Sequence, residues 1–376
     1  MKILNKYTYL FLGILIVSVT VIINFIPNLE TEEFDQAVID NIIEGVTTTT
    51  VATSSNDNLN ENIESTEQID QLVLSEEQIS DIDKILTNNN FDEEINDFDT
   101  YLLIGSDERS EEIALTRGQI IGKRADVIIL GLVNKNTQQI TLLSFPRDLL
   151  IRNNCTGELE RINASYIKND CGGRAENLAA AIYSISGIRV TNFASFDFEG
   201  FEEIIDSVDG VEICVEKTQK EGFSFELQKG CQTVNGLTTL NWVVSRSTQV
   251  LVGEKMTDKD GNDISEWRPM PGVSDLTRIE RQQYVVLQLI NELKDFQSVN
   301  ELNSFIKALE NSFIIDENLS INKAVELLWT FRNIDLNNVK KFTTPVNFLT
   351  LDDGRQVLVL SDKIQNFLKS NSIIDS

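Results

Sequence analysis

The stretch ADVIILGLVNKNTQQITLLSFPRD, residues 125–148, decides the fold class, because it contains two apolar runs separated by one short polar turn. The runs ADVIILGLVN (125–134) and QITLLSF (139–145) are rich in valine, isoleucine and leucine, as buried strands are. Only KNTQ separates them, which predicts an antiparallel hairpin. A third apolar run, TYLLIG (100–105), precedes the pair and predicts another strand.

Helical and strand patterns alternate after this hairpin. They predict helices over 175–186, 198–208, 276–295, 301–312 and 320–331, strands over 190–198 and 211–216, and a final hairpin over 346–360. Segment 239–246 fits either a helix or a strand. Because neighbouring strands pair locally, the pattern predicts a mixed-sheet α/β or α+β fold rather than a barrel.

Composition excludes several classes of protein. The 376 residues are 41% hydrophobic, enough for a sizeable core, and include no histidine. Ser-His-Asp and Cys-His hydrolases, histidine bases and histidine-ligated zinc are therefore excluded. The net charge of −27 argues against a nucleic-acid partner. Residues 28–100 carry 20 acids and one base, so most of the charge belongs to that segment.

Residues 7–27 carry no charge and could cross a bilayer core of roughly 30 Å as a helix. Lys2 and Lys6 precede this span and acids follow it, so the positive-inside rule predicts a cytoplasmic N-terminus and an extracellular remainder. A cleaved signal peptide is the alternative. We therefore expect a single-pass protein of the cell membrane.

The same features divide the chain into five parts. They are a cytoplasmic tail (1–6), a transmembrane helix (7–27), an acidic, mostly disordered spacer (28–98), a folded domain (99–299) and a helical and hairpin extension packed on it (300–376). Within the spacer, LSEEQISDIDKIL (74–86) fits a short helix with Ser75 as its N-cap.

Four cysteines occur at positions 155, 171, 214 and 231, beyond the predicted membrane span, where disulfides persist. The pairs that are local in sequence are Cys155–Cys171 and Cys214–Cys231, each closing a loop of about 15 residues. The alternatives are four free thiols or a four-thiolate zinc site. The zinc site is the poorer of these, because no two cysteines are two residues apart.

Charged side chains stand at the ends of the first three predicted strands. Asp107 and Arg109 follow the first strand, Asp126 opens the second, and Arg147 and Asp148 close the third. A hairpin places the start of one strand beside the end of the next, so these residues are predicted to share one rim. Paired carboxylates are suitable ligands for Mg²⁺, and the planar guanidinium of arginine binds phosphate through two hydrogen bonds. Together these groups are typical of sites that catalyse phosphoryl transfer. The alternative is a set of salt bridges between strand ends.

A second basic set lies further along the chain. Arg278, Arg281 and Gln282 are spaced i, i+3 and i+4 on one face of the long helix, near its anion-favouring N-terminus. Arg246 ends the segment WVVSR, and Arg161 opens RINASY. The alternative for the helical set is a solvated surface.

At these residues the chain resembles the LytR-CpsA-Psr family of cell-wall ligases. The resemblance covers roughly residues 99 to 295 and rests on motifs in family order: YLLIGSDER (101–109), ADVIILGLVN (125–134), ITLLSFPRD (140–148), RINASY (161–166), FDFEGFEEIIDSVDGVEICV (196–215), VNGLTTLNWVVSR (234–246) and DLTRIERQQ (275–283). SFPRD and the Arg-x-x-Arg-Gln-Gln pattern are specific in combination.

The resemblance implies an α/β/α-type sandwich around a mixed sheet, with an apolar tunnel for a lipid. It implies transfer of a glycopolymer from a polyprenyl-pyrophosphate carrier to peptidoglycan or another wall acceptor, with Mg²⁺. By resemblance, Asp107 and Asp126 are metal-associated and catalytic acids, and Arg147 and Arg278 contact pyrophosphate. Arg109, Arg161, Arg246, Arg281 and Gln282 are further candidates for binding it.

Two departures from the family pattern keep other functions open. The first arginine of an Arg-x-Arg pair is Val244 here, with Arg246 as the second. Segment 247–274 is long, and its DKDGND (258–263) suggests a calcium loop or, with no glutamate at the twelfth position, a solvated turn. The alternatives are a non-catalytic polyprenyl-phosphate-binding or surface-interaction module, a membrane-bound transcriptional attenuator and a pyrophosphatase.

Overall fold

The computed structural model describes residues 30–48, 72, 74–106, 124–294, 313–316 and 338–374. Its helices are α1 (Gln36–Thr48), α2 (Glu76–Asn88), α3 (Arg174–Ser186), α4 (Phe198–Ser207), α5 (Gly236–Val244), α6 (Asp275–Lys294) and α7 (Ile364–Ser370). Its strands are β1 (Glu30–Glu32), β2 (Phe98–Ser106), β3 (Ala125–Asn134), β4 (Ile140–Ser144), β5 (Leu150–Arg152), β6 (Leu159–Arg161), β7 (Asn192–Phe196), β8 (Val211–Val215), β9 (Gln219–Glu221), β10 (Phe225–Leu227), β11 (Gly230–Val234), β12 (Gln249–Val252), β13 (Glu266–Pro269), β14 (Phe313–Asp316), β15 (Lys340–Thr343), β16 (Val346–Thr350) and β17 (Gln356–Leu360).

A mixed central sheet organises the molecule, with strand order β1-β14-β7-β2-β3-β4-β15. The predicted hairpin is confirmed, since β3 and β4 pair antiparallel from Val133 opposite Ile140 to Ile129 opposite Ser144. Strand β2 pairs antiparallel with β3, so β2 and β4 run in the same direction. Their carboxyl ends therefore meet the start of β3 at one edge, which we call the rim.

Helices cover both faces of this sheet, because the strands alternate apolar residues toward each side. On one face Ile128 and Leu130 of β3 join a cluster with Ile182 of α3 and residues of α1 and α7. On the other, Ile129 packs in a cluster with Leu287 of α6. The prediction of a mixed α/β fold around a mixed sheet is confirmed.

A smaller layer lies beside α6 and contains the segment that departs from the family pattern. Helices α4 and α5 share an apolar cluster with β8 and β10, so segment 239–246 is largely helical. Residues 247–274 form β12, β13 and an exposed turn in which the Asp258 carboxylate accepts from the amides of Asp260 and Asn262 at 2.9 and 2.8 Å. Because the local backbone uses this carboxylate, the prediction of a solvated turn is the one the structure favours.

Within the predicted spacer over 28–98, residues 30–48 and 74–98 pack on the folded domain instead of being disordered, and the short helix predicted over 74–86 is present. Ile39 and Ile42 of α1 are buried in the main core because the apolar face of α1 packs against α3, and Phe34, just before α1, is buried in the same core. Helix α2 has Ser75 as its N-cap, as predicted, and buries Ile82. The acidic composition of the segment does not reveal these apolar faces, because a few apolar residues at helical spacing are enough to pack a helix against the core. Residues 49–71 lie outside the described residues.

The C-terminal part is not separate from the central fold. Strands β14 and β15 belong to the central sheet, and β16 and β17 form the predicted hairpin. The predicted helices at 301–312 and 320–331 and the predicted span at 7–27 lie outside the described residues. Among the residues that are described, no helix is both long and apolar enough to cross a membrane.

Both predicted disulfides are present. Cys155 bonds to Cys171, and Cys214 of β8 bonds to Cys231 of β11, its direct partner across the strand pair. The structure therefore contains neither of the alternatives, four free thiols or a four-cysteine zinc site.

Candidate functional site

The rim brings together three of the charged residues expected there. Ser106, the last residue of β2, lies opposite Ala125, so Asp126 stands at the start of β3 on the rim. Residues 147 and 148 follow β4 in a turn closed by the Leu149 amide donating to the Pro146 carbonyl at 2.9 Å. Proline fixes the backbone at the entry to this turn. Asp107 and Arg109 lie outside the described residues, so their places at the rim stay predictions.

A chain of alternating charges runs along the rim. Arg147 Nη1 lies 2.6 Å from Asp126 Oδ1, and both side chains are mostly buried, with 16% and 14% of their surface exposed. Arg147 Nε lies 3.6 Å from Asp148 Oδ2, and Arg161 Nε lies 3.1 Å from Asp148 Oδ1. The residues predicted to bind phosphate thus also form the salt bridges between strand ends that were the alternative prediction. Such pairs hold a guanidinium in a fixed direction before any ligand arrives.

The RINASY segment supports the turn that carries Arg147. The Asn163 amide donates to the Arg147 carbonyl at 3.3 Å, and Arg161 in β6 pairs with Leu150 in β5. The backbone on both sides of the rim arginines is therefore fixed by hydrogen bonds rather than left as a free loop.

Behind this segment lies a polar group that sequence reasoning missed. The Glu160 carboxylate accepts hydrogen bonds from Asn153 Nδ2 and Ser165 Oγ, both at 2.7 Å. Burial raises the pKa of Glu160, while these two hydrogen bonds oppose the rise. The only indication in the sequence that Glu160 lies near the site is its position directly before Arg161, which was a candidate residue.

Helix α6 points its N-terminus toward the rim. Gln283 contacts Ser144, the last residue of β4, whereas Leu287, one turn later, packs in a cluster with Leu142 and Ile140. The helix therefore runs opposite to β4, and its first turns extend past the strand's carboxyl end. Arg278 lies in this part of α6 and is 4% exposed. The helix dipole adds positive potential at the same edge.

Arg281 is committed to contacts within the protein. Its Nη1 donates to the Trp242 carbonyl at 2.8 Å, its Nη2 donates to Thr248 Oγ1 at 3.0 Å, and its guanidinium lies over the Trp242 ring. Burial, with a smaller contribution from Arg278, lowers the pKa of Arg281 to about 10, against an opposing effect of Glu221. These contacts join α6 to α5, and pyrophosphate binding by Arg281 stays a prediction. Gln282 is also buried, so the alternative of a solvated helix face is wrong for this set.

The place of the missing arginine is apolar. Val244 is partly buried against the cluster of α4 and α5, at the last position of α5. Arg246, two residues later, is exposed on the connection to β12. The Ser247 amide donates to Glu221 Oε1 at 3.0 Å, which holds this connection in place. Arg246 is therefore accessible to an anion, whereas position 244 contributes packing.

The rim residues fit a hard cation only in part. Asp126 and Asp148 supply carboxylate oxygens, the type of ligand Mg²⁺ prefers together with phosphate oxygens and water. Within the described residues, three potential ligand atoms close enough to share an ion come together at Glu212, Cys214 and Cys231. Both cysteines of that group are in a disulfide, so it is no metal site.

Comparisons with known proteins agree with this architecture. The model of the LytR_cpsA_psr family matches residues 46–258 and 265–372, which is most of the chain. The gap between the two matched stretches falls in the exposed turn between β12 and β13.

Curated relatives are similar over part of their length. The cell wall biosynthesis protein LcpA of Corynebacterium glutamicum is 27% identical over 69% of this chain and 52% of its own. The polyisoprenyl-teichoic acid–peptidoglycan teichoic acid transferase TagU of Oceanobacillus iheyensis is 24% identical over 61% of this chain and 62% of its own. This chain thus spans about half to three fifths of these relatives.

Solved structures share the fold. The LytR-Csp2A-Psr enzyme from Actinomyces oris aligns with a TM-score of 0.53 and 19% identity over 72% of this chain and 89% of that one. TagV of Bacillus subtilis aligns with a TM-score of 0.53 and 18% identity, over 73% of this chain and 98% of that one. TagT bound to LI-WTA gives 0.51 and 20%, over 73% and 89%. With these folds, the ordered motifs and the family match over most of its length, the chain belongs to the LytR_cpsA_psr family.

Proposed function

We propose that this chain is a membrane-anchored phosphotransferase that attaches a glycopolymer from a polyprenyl-pyrophosphate carrier to peptidoglycan or another cell-wall acceptor. The observation that carries the proposal is the Arg147 guanidinium, held 2.6 Å from Asp126 at a rim toward which α6 points its N-terminus. Relatives named as teichoic acid–peptidoglycan transferases and a fold shared with TagT bound to LI-WTA support it.

The reaction needs charge stabilisation more than covalent chemistry. An acceptor hydroxyl attacks the phosphorus that carries the glycan, and a new oxygen–phosphorus bond forms. The bond from that phosphorus to the bridging oxygen breaks, and polyprenyl monophosphate leaves with the bonding electrons. The hydroxyl proton passes to a carboxylate, for which Asp126 and Asp107 are the candidates. Arg147 and Arg278 neutralise charge that grows on the pyrophosphate oxygens.

Magnesium is part of the proposal. Asp126, together with Asp107, would hold Mg²⁺, which supplies a Lewis acid for the pyrophosphate oxygens when bound. One Asp126 oxygen is engaged by Arg147 at 2.6 Å, which leaves the second oxygen of that carboxylate for a cation or a proton. Metal binding and proton acceptance therefore compete for Asp126, and Asp107 is the second candidate for each of these roles.

The proposed compartment is the outer face of the cell membrane, with the N-terminus in the cytoplasm. The uncharged residues 7–27 and the preceding lysines motivate it, and two disulfides support an oxidising compartment. Protease added to intact cells should degrade the region 28–376. Its complete protection there, with degradation after lysis, would place the folded part inside the cell.

The test of function is transfer by the purified full-length chain. The donor is a polyprenyl-pyrophosphate-linked glycan, the acceptor is a peptidoglycan fragment, and mass spectrometry identifies the product. We expect a phosphodiester between glycan and acceptor, with release of polyprenyl monophosphate. A glycan phosphate formed with water alone would indicate a pyrophosphatase instead. Donor binding without any turnover would indicate a binding module.

The binding module is the second candidate, and one observation favours it. The apolar Val244 packs against its own layer at a position where the family pattern places an arginine. The Val244→Arg variant separates the two readings. A transferase that has adapted to valine gains at most a few-fold in turnover, whereas a module that lost activity through this position acquires turnover it did not have.

A further inference from the structure

One turn of α6 is attached to the rest of the molecule by directed polar contacts. Arg281 reaches the end of α5, Gln283 reaches the ends of β4 and β15, and Tyr284 Oη donates to the carbonyl of Glu212 at 3.1 Å. We propose that Gln283 is a positioning residue, which sets the axial position of α6 on the sheet and thereby places Arg278 at the rim. The inference rests on the proposed function of that rim.

Apolar contacts alone do not determine this axial position. Val286, Leu287 and Ile290 pack α6 on a surface that includes Ile129 and Leu142 of the sheet. Hydrophobic contact is roughly proportional to buried area and has no preferred direction. Packed helices can still slide by about 1–2 Å over a neighbouring surface, and a directed contact opposes such a shift.

Gln283 makes the directed contacts. Its Nε2 donates to Ser144 Oγ at 2.7 Å and to the Phe342 carbonyl at 2.8 Å. A carbonyl oxygen only accepts hydrogen bonds, so the amide nitrogen, not the amide oxygen, must face the two strands. Both amide hydrogens are thereby used on neighbouring strands of the sheet. Gln283 is 5% exposed and Ser144 1% exposed, so water does not replace these bonds readily.

The contact links the two arginines that the mechanism uses. Arg278 lies five residues before Gln283, a rise of about 7.5 Å along the helix. Arg147 lies three residues after Ser144, a reach of at most roughly 10 Å. The contact between Ser144, the last residue of β4, and Gln283 of α6 thus fixes the positions of both Arg147 and Arg278. Since the amide hydrogens of Gln283 are already used, it acts through Arg278 rather than on the substrate.

A double-mutant cycle on donor binding tests the inference. Gln283→Met keeps the length of the side chain but removes both donors, and Arg278→Ala removes the proposed phosphate contact. Affinity of the full-length chain for polyprenyl pyrophosphate is measured by titration calorimetry in detergent. In the wild type, Arg278→Ala should weaken binding about 10-fold or more, as for a hydrogen bond to a charged group. In the Gln283→Met background it should weaken binding by less than about threefold.

The matched control is Leu287→Ala, one turn further along the same face of α6, where packing is lost but the polar contact stays. In that background Arg278→Ala should cost the same as in the wild type. Gln283→Asn, one methylene shorter with its amide retained, replaces the methionine variant if that one does not fold.

Additive effects of Gln283→Met and Arg278→Ala would overturn the inference, since a purely structural glutamine lowers stability without changing what Arg278 contributes. An equal loss of coupling in Leu287→Ala would overturn it too. A wild-type chain that binds no polyprenyl pyrophosphate would contradict the proposed function and, with it, the positioning role. A wild type that binds donor, with additive variants, contradicts the positioning role alone.

Discussion

Replacing Arg147 with alanine separates a phosphate site from a set of salt bridges, because this one side chain serves both. The variant removes a guanidinium that lies 2.6 Å from Asp126 and 3.6 Å from Asp148. It leaves the backbone of the turn intact, since that turn is closed by Leu149 and Pro146. The effect of the variant on stability can therefore be measured separately from its effect on turnover.

Two costs follow from the structure. The pair with Asp126 is mostly buried, so removing one partner should lower the free energy of unfolding by about 3 kcal/mol. Removing a preorganised donor to developing charge should lower turnover by about 10²–10³-fold. The double variant Asp126→Asn with Arg147→Met removes both charges and should recover most of the stability but none of the turnover. Arg147→Lys should recover little turnover, because an ammonium does not reproduce the planar fork.

The assay is turnover of a lipid-pyrophosphate donor by chains shown to be folded by circular dichroism. Arg152→Ala is the matched control, because that arginine forms an ion pair with Asp83, a partly exposed residue of α2. This control should keep wild-type turnover. Folded Arg147→Ala that retains more than a third of wild-type turnover would show that the rim is a set of salt-bridged strand ends rather than a phosphate site.

Other predictions concern stability and metal. Replacing Cys214 and Cys231 by serine opens a loop with a sequence separation of 17 and should cost about 3 kcal/mol in urea unfolding; an unchanged midpoint would contradict this. Burial raises the pKa of Glu160 above 4.5, so its favourable contribution to stability is present below that pH and lost as pH rises through the raised value. Glu160→Gln should therefore be more stable than wild type at neutral pH but not below pH 4.5, and an equal gap at both would contradict the burial argument. Chelation of Mg²⁺ should abolish transfer and its readdition restore it, whereas transfer unaffected by a chelator would remove the metal from the proposal.

The sequence predicts the centre of the fold because the deciding interactions there are local. Strands β3 and β4 are joined by a short polar turn, so their pairing and the meeting of Asp126 with Arg147 follow from the hairpin. The cysteine pairs are local for the same reason, with separations of 16 and 17 residues.

Contacts between distant parts of the chain are not predictable in this way. Gln283 and Ser144 are 139 residues apart, and nothing in either segment indicates the other. Helix α1 was missed because its two fully buried residues, Ile39 and Ile42, stand in an acidic neighbourhood, and because they are buried only when α1 packs against α3. Arg281 was predicted to bind phosphate from its spacing to Arg278, whereas its contacts with α5 arise only when the two helices pack.

The most direct measurement of the central claim is an experimental structure of the full-length chain with polyprenyl pyrophosphate bound. We expect phosphate oxygens within hydrogen-bonding distance, up to about 3.2 Å, of the guanidinium groups of Arg147 and Arg278. We also expect the lipid chain to lie in an apolar enclosure beside the sheet. Pyrophosphate bound away from the rim, with the Arg147–Asp126 pair unchanged and no ligand near Arg278, would contradict the central claim.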